Sequence, residues 1–116
     1  MVSLPLNPPP LAASRYRSRM IVEVAIIDSQ PGQGDAMEAG LTAARAVISQ
    51  AKGYRGSTFH RGIEDRDRFV LYITWDTVAD HEEGFRKGAL FPEWRSHFGH
   101  LMKGPPTVSH FSIFAG

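Results

Sequence analysis

Hydrophobic positions change their period along this chain, and each change marks an element. Residues 20–27 (MIVEVAII) form a β-branched run with one charge, Glu23, which predicts a strand apolar on both faces. Pro31-Gly32 ends it. From residue 34 to 51 the period becomes helical: Met37, Leu41, Ala44 and Ile48 recur at i, i+4, i+7 and i+11. Asp35 and Glu38 suit the positive end of that helix, and Lys52-Gly53 closes it with a cation and a left-handed cap. Residues 54–63 predict a second strand, with Tyr54, Thr58 and His60 on one face and Phe59 and Arg61 on the other. The charged run Glu64-Asp65-Arg66-Asp67 makes the hairpin turn. Residues 68–75 (RFVLYITW) alternate most cleanly: Phe69, Leu71, Ile73 and Trp75 on one side, Val70, Tyr72 and Thr74 on the other.

Thr77 and Asp80 have capping-box spacing for a short helix ending near Gly84 or Gly88. A further helix over residues 89–102 aligns Leu90, Trp94, Phe98 and Leu101, and Gly104-Pro105-Pro106 stops it. Residues 107–114 (TVSHFSIF) return as a last strand. The order β-α-β-β-α-β, with the second helical region split, predicts an α+β, ferredoxin-like fold on an antiparallel sheet. Helices on one side of such a sheet leave its other face to water, which should then be polar. Here two strands are apolar on both faces, so a second copy of the sheet is the expected cover: a homodimer.

Composition narrows the chemistry. The 116 residues suit a single domain with a real core. With no cysteine, disulfides, thiolate catalysis, Cys-ligated zinc and iron–sulfur clusters are excluded. No apolar run reaches the roughly 20 residues that span a bilayer, and no secretory signal is visible, so the expected location is cytoplasmic and away from membranes. The net charge is +1, but Arg15, Arg17 and Arg19 precede the first acid, Glu23. The remainder carries ten basic against twelve acidic side chains, which is no footprint for nucleic acid. Pro5, Pro8, Pro9 and Pro10 break up residues 1–19, which read as a disordered or extended tail, or as sequence preceding a true start at Met20. Residues 20–116 form the domain. His97 and His100 stand at i and i+3, but no carboxylate is spaced to complete a metal site with them, so no metal is expected. His110, on the last strand, reads as structural or as part of a dimer interface.

An ordered set of motifs resembles the antibiotic biosynthesis monooxygenase family: Trp75-Asp-Thr-Val-Ala-Asp-His81, Gly84-Phe85-Arg86, Phe91-Pro-Glu-Trp94-Arg95, Gly104-Pro-Pro106 and Thr107-Val-Ser-His110-Phe111. The opening strand, Pro31-Gly32-Gln33 and an alanine-rich helix ending in Gly53-Tyr54 are similar too. The resemblance spans residues 20 to about 114. It implies a dimeric α+β barrel, and in several members a cofactor-free oxygenase that turns phenolic polyketides or hydroquinones into quinones with O2. By that resemblance His60, Trp75 and Arg95 match pocket residues of the quinone-forming type. Its pocket tyrosine falls on His81 and its pocket asparagine on Leu71, two departures from the pattern.

The implied assignment is therefore His60, His81 and Arg95 as catalytic groups. Trp75, Tyr72, Leu71, Phe85, Trp94 and Phe98 bind an aromatic substrate, with no cofactor and no metal. The same fold also includes haem-degrading members, whose first-strand asparagine would fall near Ala25 and whose haem ligand would fall near Trp94 or Arg95. A non-catalytic dimeric barrel that binds small aromatic metabolites is the third alternative.

The chemistry suits these residue types. Triplet dioxygen reacts slowly with a closed-shell phenol but readily accepts one electron from a phenolate. A site without flavin or metal then needs a base, a cation for the phenolate oxygen and a flat apolar hollow. Histidine titrates in the right range, arginine stays charged, and aromatic side chains supply the walls.

Overall fold

The computed structural model describes residues 20–116; the tail expected at residues 1–19 lies outside them. Strands β1 (Ile21–Asp28), β2 (Tyr54–Arg61), β3 (Arg68–Trp75) and β4 (Thr107–Ser112) form one antiparallel sheet in the order β2-β3-β1-β4. Helices α1 (Gly34–Ile48) and α2 (Leu90–Ser96) cover one face. A π-helical turn, Asp80–Phe85, and a 3-10 turn, Gly99–Leu101, complete the split second helical region.

The predicted stripe of α1 is the core. Met37, Leu41, Ala44 and Ile48 are buried against Phe69, Leu71, Ile73 and Trp75 of β3 and Ala25 and Ile27 of β1. Gly40 sits where α1 passes the end of α2, and a Cβ there would overlap the His97 carbonyl oxygen. A second tether joins β2 to the first turn of α1: Arg61 Nη1 donates to Asp35 at 2.8 Å and to Glu38 at 3.2 Å. The 64–67 run turns the hairpin as expected, with Gly62 N–H donating to the Arg68 carbonyl at 2.7 Å.

The structure shortens several elements. α1 ends at Ile48 rather than residue 51, and Gly53 (φ 85°) turns the chain into β2 instead of capping the helix directly. β2 stops at Arg61 and β4 at Ser112. The helix expected over 89–102 ends at Ser96, because the backbone leaves helical geometry at Phe98 (φ −146°), whose ring packs on Trp94 at 5.0 Å. The chain then folds back on the end of β1, where Gln30 N–H donates to the Leu101 carbonyl and Lys103 N–H to the Asp28 carbonyl, both at 2.8 Å. A bulge between Tyr54 and Gly56 (φ 135°) shifts the alternation of β2, so Tyr54 lies on the helix side with Phe59 and not with Thr58 and His60. Its hydroxyl shares a hydrogen bond with Ser57 Oγ at 2.6 Å.

The other face of the sheet carries Val22, Val24, Ile26, Val70, Tyr72 and Phe111, and no described element covers it. Tyr72 and Phe111 are about half exposed there.

Replacing Gly40 with alanine is expected to cost about 1–3 kcal/mol, the usual penalty for overpacking. Gly104→Ala, where nothing lies within 4 Å of the added carbon, should change stability by less than about 0.5 kcal/mol. Urea unfolding of the two variants checks the contrast.

Candidate active site

A cavity of about 690 Å³ opens between the helix-facing side of the sheet and the second helical region. Such a volume falls in the range of small-molecule pockets. Its aromatic wall is continuous: Phe85 meets Phe91 at 5.6 Å and Trp94 at 5.9 Å, and Trp94 meets Phe98 at 5.0 Å, all edge to face. These are contacts that aromatic pairs prefer, and they leave flat faces for a fused-ring guest.

Besides Arg86, two polar features interrupt the apolar lining. The first is Glu23, the one charge in β1. Alternation puts it on the same face as Ala25 and Ile27, so its carboxyl is buried (5% exposed) where water cannot solvate it. Trp75 Nε1 donates to its Oε1 at 2.9 Å, and His81 Nε2 lies 3.3 Å from the same oxygen. Burial raises the carboxyl to about 7, with the Trp75 hydrogen bond pulling the other way. The His81 ring stacks on Trp75 at 5.4 Å, and burial pushes it down to about 4. Its Nδ1 is 2.8 Å from His110 Nε2, a hydrogen bond in which one ring donates and the other accepts.

The second feature is Arg95, in the last turn of α2. Its Nε is buried and has no hydrogen-bond partner among the described residues, and its guanidinium lies 5.9 Å above the Phe91 ring. Gly99 makes room for it: a Cβ there would lie 3.2 Å from that nitrogen. A buried N–H with no acceptor costs about 1–3 kcal/mol, which a bound oxygen atom would recover.

Of the residues singled out from sequence, His81, Arg95, Phe85, Trp94 and Phe98 line this cavity together. Trp75 and Leu71 are fully buried and do not line it; Trp75 stands behind, holding Glu23 and His81. His60 and Tyr72 are on the far face of the sheet, their rings 5.0 Å apart, and His60 Nδ1 lies 3.2 Å from the Val70 carbonyl. The expected convergence of His60 with His81 and Arg95 in one hollow is not what the strands produce. Phe59 and Arg61 face the helices, so the residue between them faces away. The alternation of β2 and β3 already carried that signal, since it set His60 and Tyr72 apart from Phe59, Leu71 and Ile73.

Glu23 and Arg86, for which no site role was expected, line the cavity, and His110, expected to be structural or at a dimer interface, adjoins it through His81. For Glu23 the signal was present: a lone carboxylate in a β-branched run, in phase with core residues. For His110 there was none, because its partner is 29 residues away in a helical turn.

These observations can be set against known proteins. The family model described as antibiotic biosynthesis monooxygenase matches residues 20–97. The chain belongs to the antibiotic biosynthesis monooxygenase family. The uncharacterized protein YczJ of Bacillus subtilis (strain 168) is 30% identical over 92 residues, covering 79% of this chain and 97% of that protein. A solved Bordetella bronchiseptica structure assigned to this monooxygenase family is 40% identical, with a TM-score of 0.79, covering 83% of this chain and 98% of that one. SnoaB of Streptomyces nogalater, a cofactor-independent oxygenase, shares the fold at a TM-score of 0.72 and 12% identity over 84% of this chain and 96% of its own. Among the described residues no helix is long and apolar enough to cross a membrane.

The two buried titrations oppose each other. Folded Glu23 holds its proton from the ordinary 4.5 up to about 7, so its contribution to stability falls as pH rises through that window. Folded His81 stays deprotonated from about 4 up to 6.5, so its contribution rises over nearly the same window. Removing the first term with Glu23→Gln is expected to make the stability difference between variant and parent climb with pH. The slope should approach about 1.4 kcal/mol per pH unit between pH 5 and 6.5. Urea titrations in metal-free buffer at several pH values measure it; a flat difference would contradict the assignment.

Proposed function

We propose that this protein is a cofactor-independent oxygenase that converts an electron-rich phenolic aromatic, of anthrone or hydroquinone type, to a quinone with O2. The observation that carries the reading is the buried, unpartnered Arg95 Nε in the wall of an aromatic cavity whose other polar wall is the Glu23 carboxyl. Membership of the monooxygenase family and the fold shared with a cofactor-independent oxygenase support it.

In this reading the substrate ring lies against Phe85, Phe91 and Trp94. Glu23, held by Trp75 and His81, accepts the phenolic or ring-methylene proton. Arg95 donates to the resulting oxyanion and so favours its formation; the anion, unlike the neutral phenol, readily gives one electron to O2. Recombination of the radical pair places a peroxide on the ring carbon. For an anthrone, the methylene carbon keeps one oxygen atom as a carbonyl. The other oxygen leaves as water with the two methylene hydrogens, so four electrons pass from carbon to O2.

The reading takes Glu23 as the base in place of a histidine, keeps Arg95 from the family pattern, and gives His81, a departure from that pattern, the task of holding Glu23. It also takes the bare sheet face as the seat of a second copy of the chain. Val22, Val24 and Ile26 run down the middle of that face, flanked by half-exposed Tyr72 and Phe111, and a twofold pairing would bury all of them against themselves.

Oxygen uptake with anthrones and hydroquinones is expected to be catalysed by the unmodified chain. Arg95→Ala should lower kcat/KM by about 100- to 1,000-fold, the usual loss of one oxyanion donor. Glu23→Gln should lower kcat by about 100-fold or more, the usual worth of a general base. Rates unchanged in both variants would remove the mechanism. Val24→Lys, in the centre of the bare face, should convert a dimer to a monomer in light scattering; a parent chain already monomeric at micromolar concentration would remove the pairing.

A further inference from the structure

A second cluster stands behind the cavity. His81 Nδ1, Glu82 Oε2 and His110 Nε2 come together from the π-helical turn and β4: the two nitrogens are 2.8 Å apart, and each is 3.7 Å from the carboxylate oxygen. We propose that these three atoms form a binding site for one divalent first-row transition ion of the Zn²⁺ class, coordinated by two imidazoles and one carboxylate.

A triangle with sides of 2.8, 3.7 and 3.7 Å has a circumradius of about 2.0 Å, the usual Zn–N and Zn–O distance. An ion would replace the hydrogen bond between the two imidazoles, and their nitrogens would part to about 3.3 Å for tetrahedral coordination. The donor set selects the ion: imidazole nitrogens suit zinc, copper, nickel and iron, whereas calcium and magnesium take oxygen. Three protein ligands leave a position for water. Partial exposure of the Glu82 and His110 side chains (34% and 22%) gives that water and the ion a route in.

The surroundings hold the ligands as metal ligands are held. His81 is anchored at its other nitrogen, Nε2, 3.3 Å from Glu23 Oε1, and Trp75 Nε1 fixes that carboxyl at 2.9 Å. A carboxylate behind the far nitrogen of a ligating imidazole sets its tautomer and makes it a better donor. Arg86 Nη1 donates to Glu82 Oε1 at 3.2 Å, which orients the carboxylate and leaves Oε2 for the ion. The groups facing the site are thus Glu23, Arg86 and the three ligands themselves. His97 and His100, the pair visible in the sequence, take no part. The proposal stands on coordination geometry and does not require the oxygenase reading, with which it shares Glu23 and His81.

The test is calorimetric titration of Zn²⁺ into the metal-stripped full-length chain, with Co²⁺ absorption as the second readout. One ion per chain is expected, together with the visible bands of Co²⁺ bound by nitrogen and oxygen. His110→Ala and Glu82→Gln should each weaken Zn²⁺ binding at least tenfold. Glu23→Gln should weaken it by about 10- to 100-fold, as loss of a supporting carboxylate does. The double variant His97→Ala, His100→Ala should bind as the parent does. Circular dichroism confirms that each variant is folded; Glu82→Gln, at a partly exposed position, supplies the ligand test should His110→Ala misfold. Absence of binding below about 100 µM would overturn the site, as would equal affinity in the folded Glu82→Gln and parent chains. Loss of binding in the His97, His100 double variant alone would overturn it as well.

Discussion

A carboxyl group on the core-facing side of a central strand is the constraint around which this molecule is arranged. Moving an ionised carboxylate out of water costs several kcal/mol unless neighbours compensate, so Glu23 cannot sit at the heart of β1 on its own. Trp75 compensates from the facing strand β3 with an indole N–H, and His81 closes over the pair. Each of the three is nearly inaccessible, and each depends on the others: Trp75 buries its N–H only because Glu23 accepts it, and His81 lies flat because Trp75 offers a face. An aliphatic residue at position 23 would remove the need for all of this and would suit the strand equally well. A polar arrangement of this kind beside an aromatic cavity is where chemistry is expected, because structural cores rarely retain such a group without use.

The fold was legible in the sequence because it is written in short-range periods. The α1 stripe of Met37, Leu41, Ala44 and Ile48, and the alternation Phe69, Leu71, Ile73, Trp75, needed no tertiary information to be placed on the correct face. Boundaries were read too long wherever the end depended on a contact with another element. The break at Phe98 follows from packing on Trp94 and from the return to β1, neither of which a run of residues announces. The bulge at Gly56 inverted the face of Tyr54 for the same reason: one added residue is invisible to a period-two count unless the glycine is read as a break.

The candidate site was half legible. Residues carried by helical turns (His81, Phe85, Trp94, Arg95, Phe98) gathered in the cavity, because the motifs that drew attention to them also fix the second helical region. Residues taken from strands fared differently, since a strand offers two faces and residue type alone does not say which. His60 and Tyr72 went to the face without helices, where their rings lie tilted against each other. Glu23 was the converse: its type and phase marked it, but a charge in a strand is more often a solvated side chain than a buried one.

The π-helical turn explains how one short segment serves two neighbourhoods. In this turn Arg86 N–H reaches back to the His81 carbonyl at 2.9 Å, the long i→i+5 closure that widens the backbone. Thr77 Oγ1 accepts the Asp80 N–H at 3.0 Å, the N-terminal half of the capping pattern read from sequence. Gly53 lets the turn lie against the start of β2, where any Cβ would strike the Asp80 side chain. Pinned at that end, the segment directs His81 inward onto Trp75 and Phe85 onto the cavity wall, while Glu82, the next residue, stays at the edge of β4 within 3.7 Å of His110. A regular α-helical turn places successive residues about 100° apart around its axis; the wider turn here lets His81 and Glu82 both approach His110 while Phe85 still reaches the core. π-helical turns concentrate at functional sites for this kind of reason. In this chain the turn joins the buried carboxyl of β1 to the partly exposed imidazole of β4 through a single intervening ring.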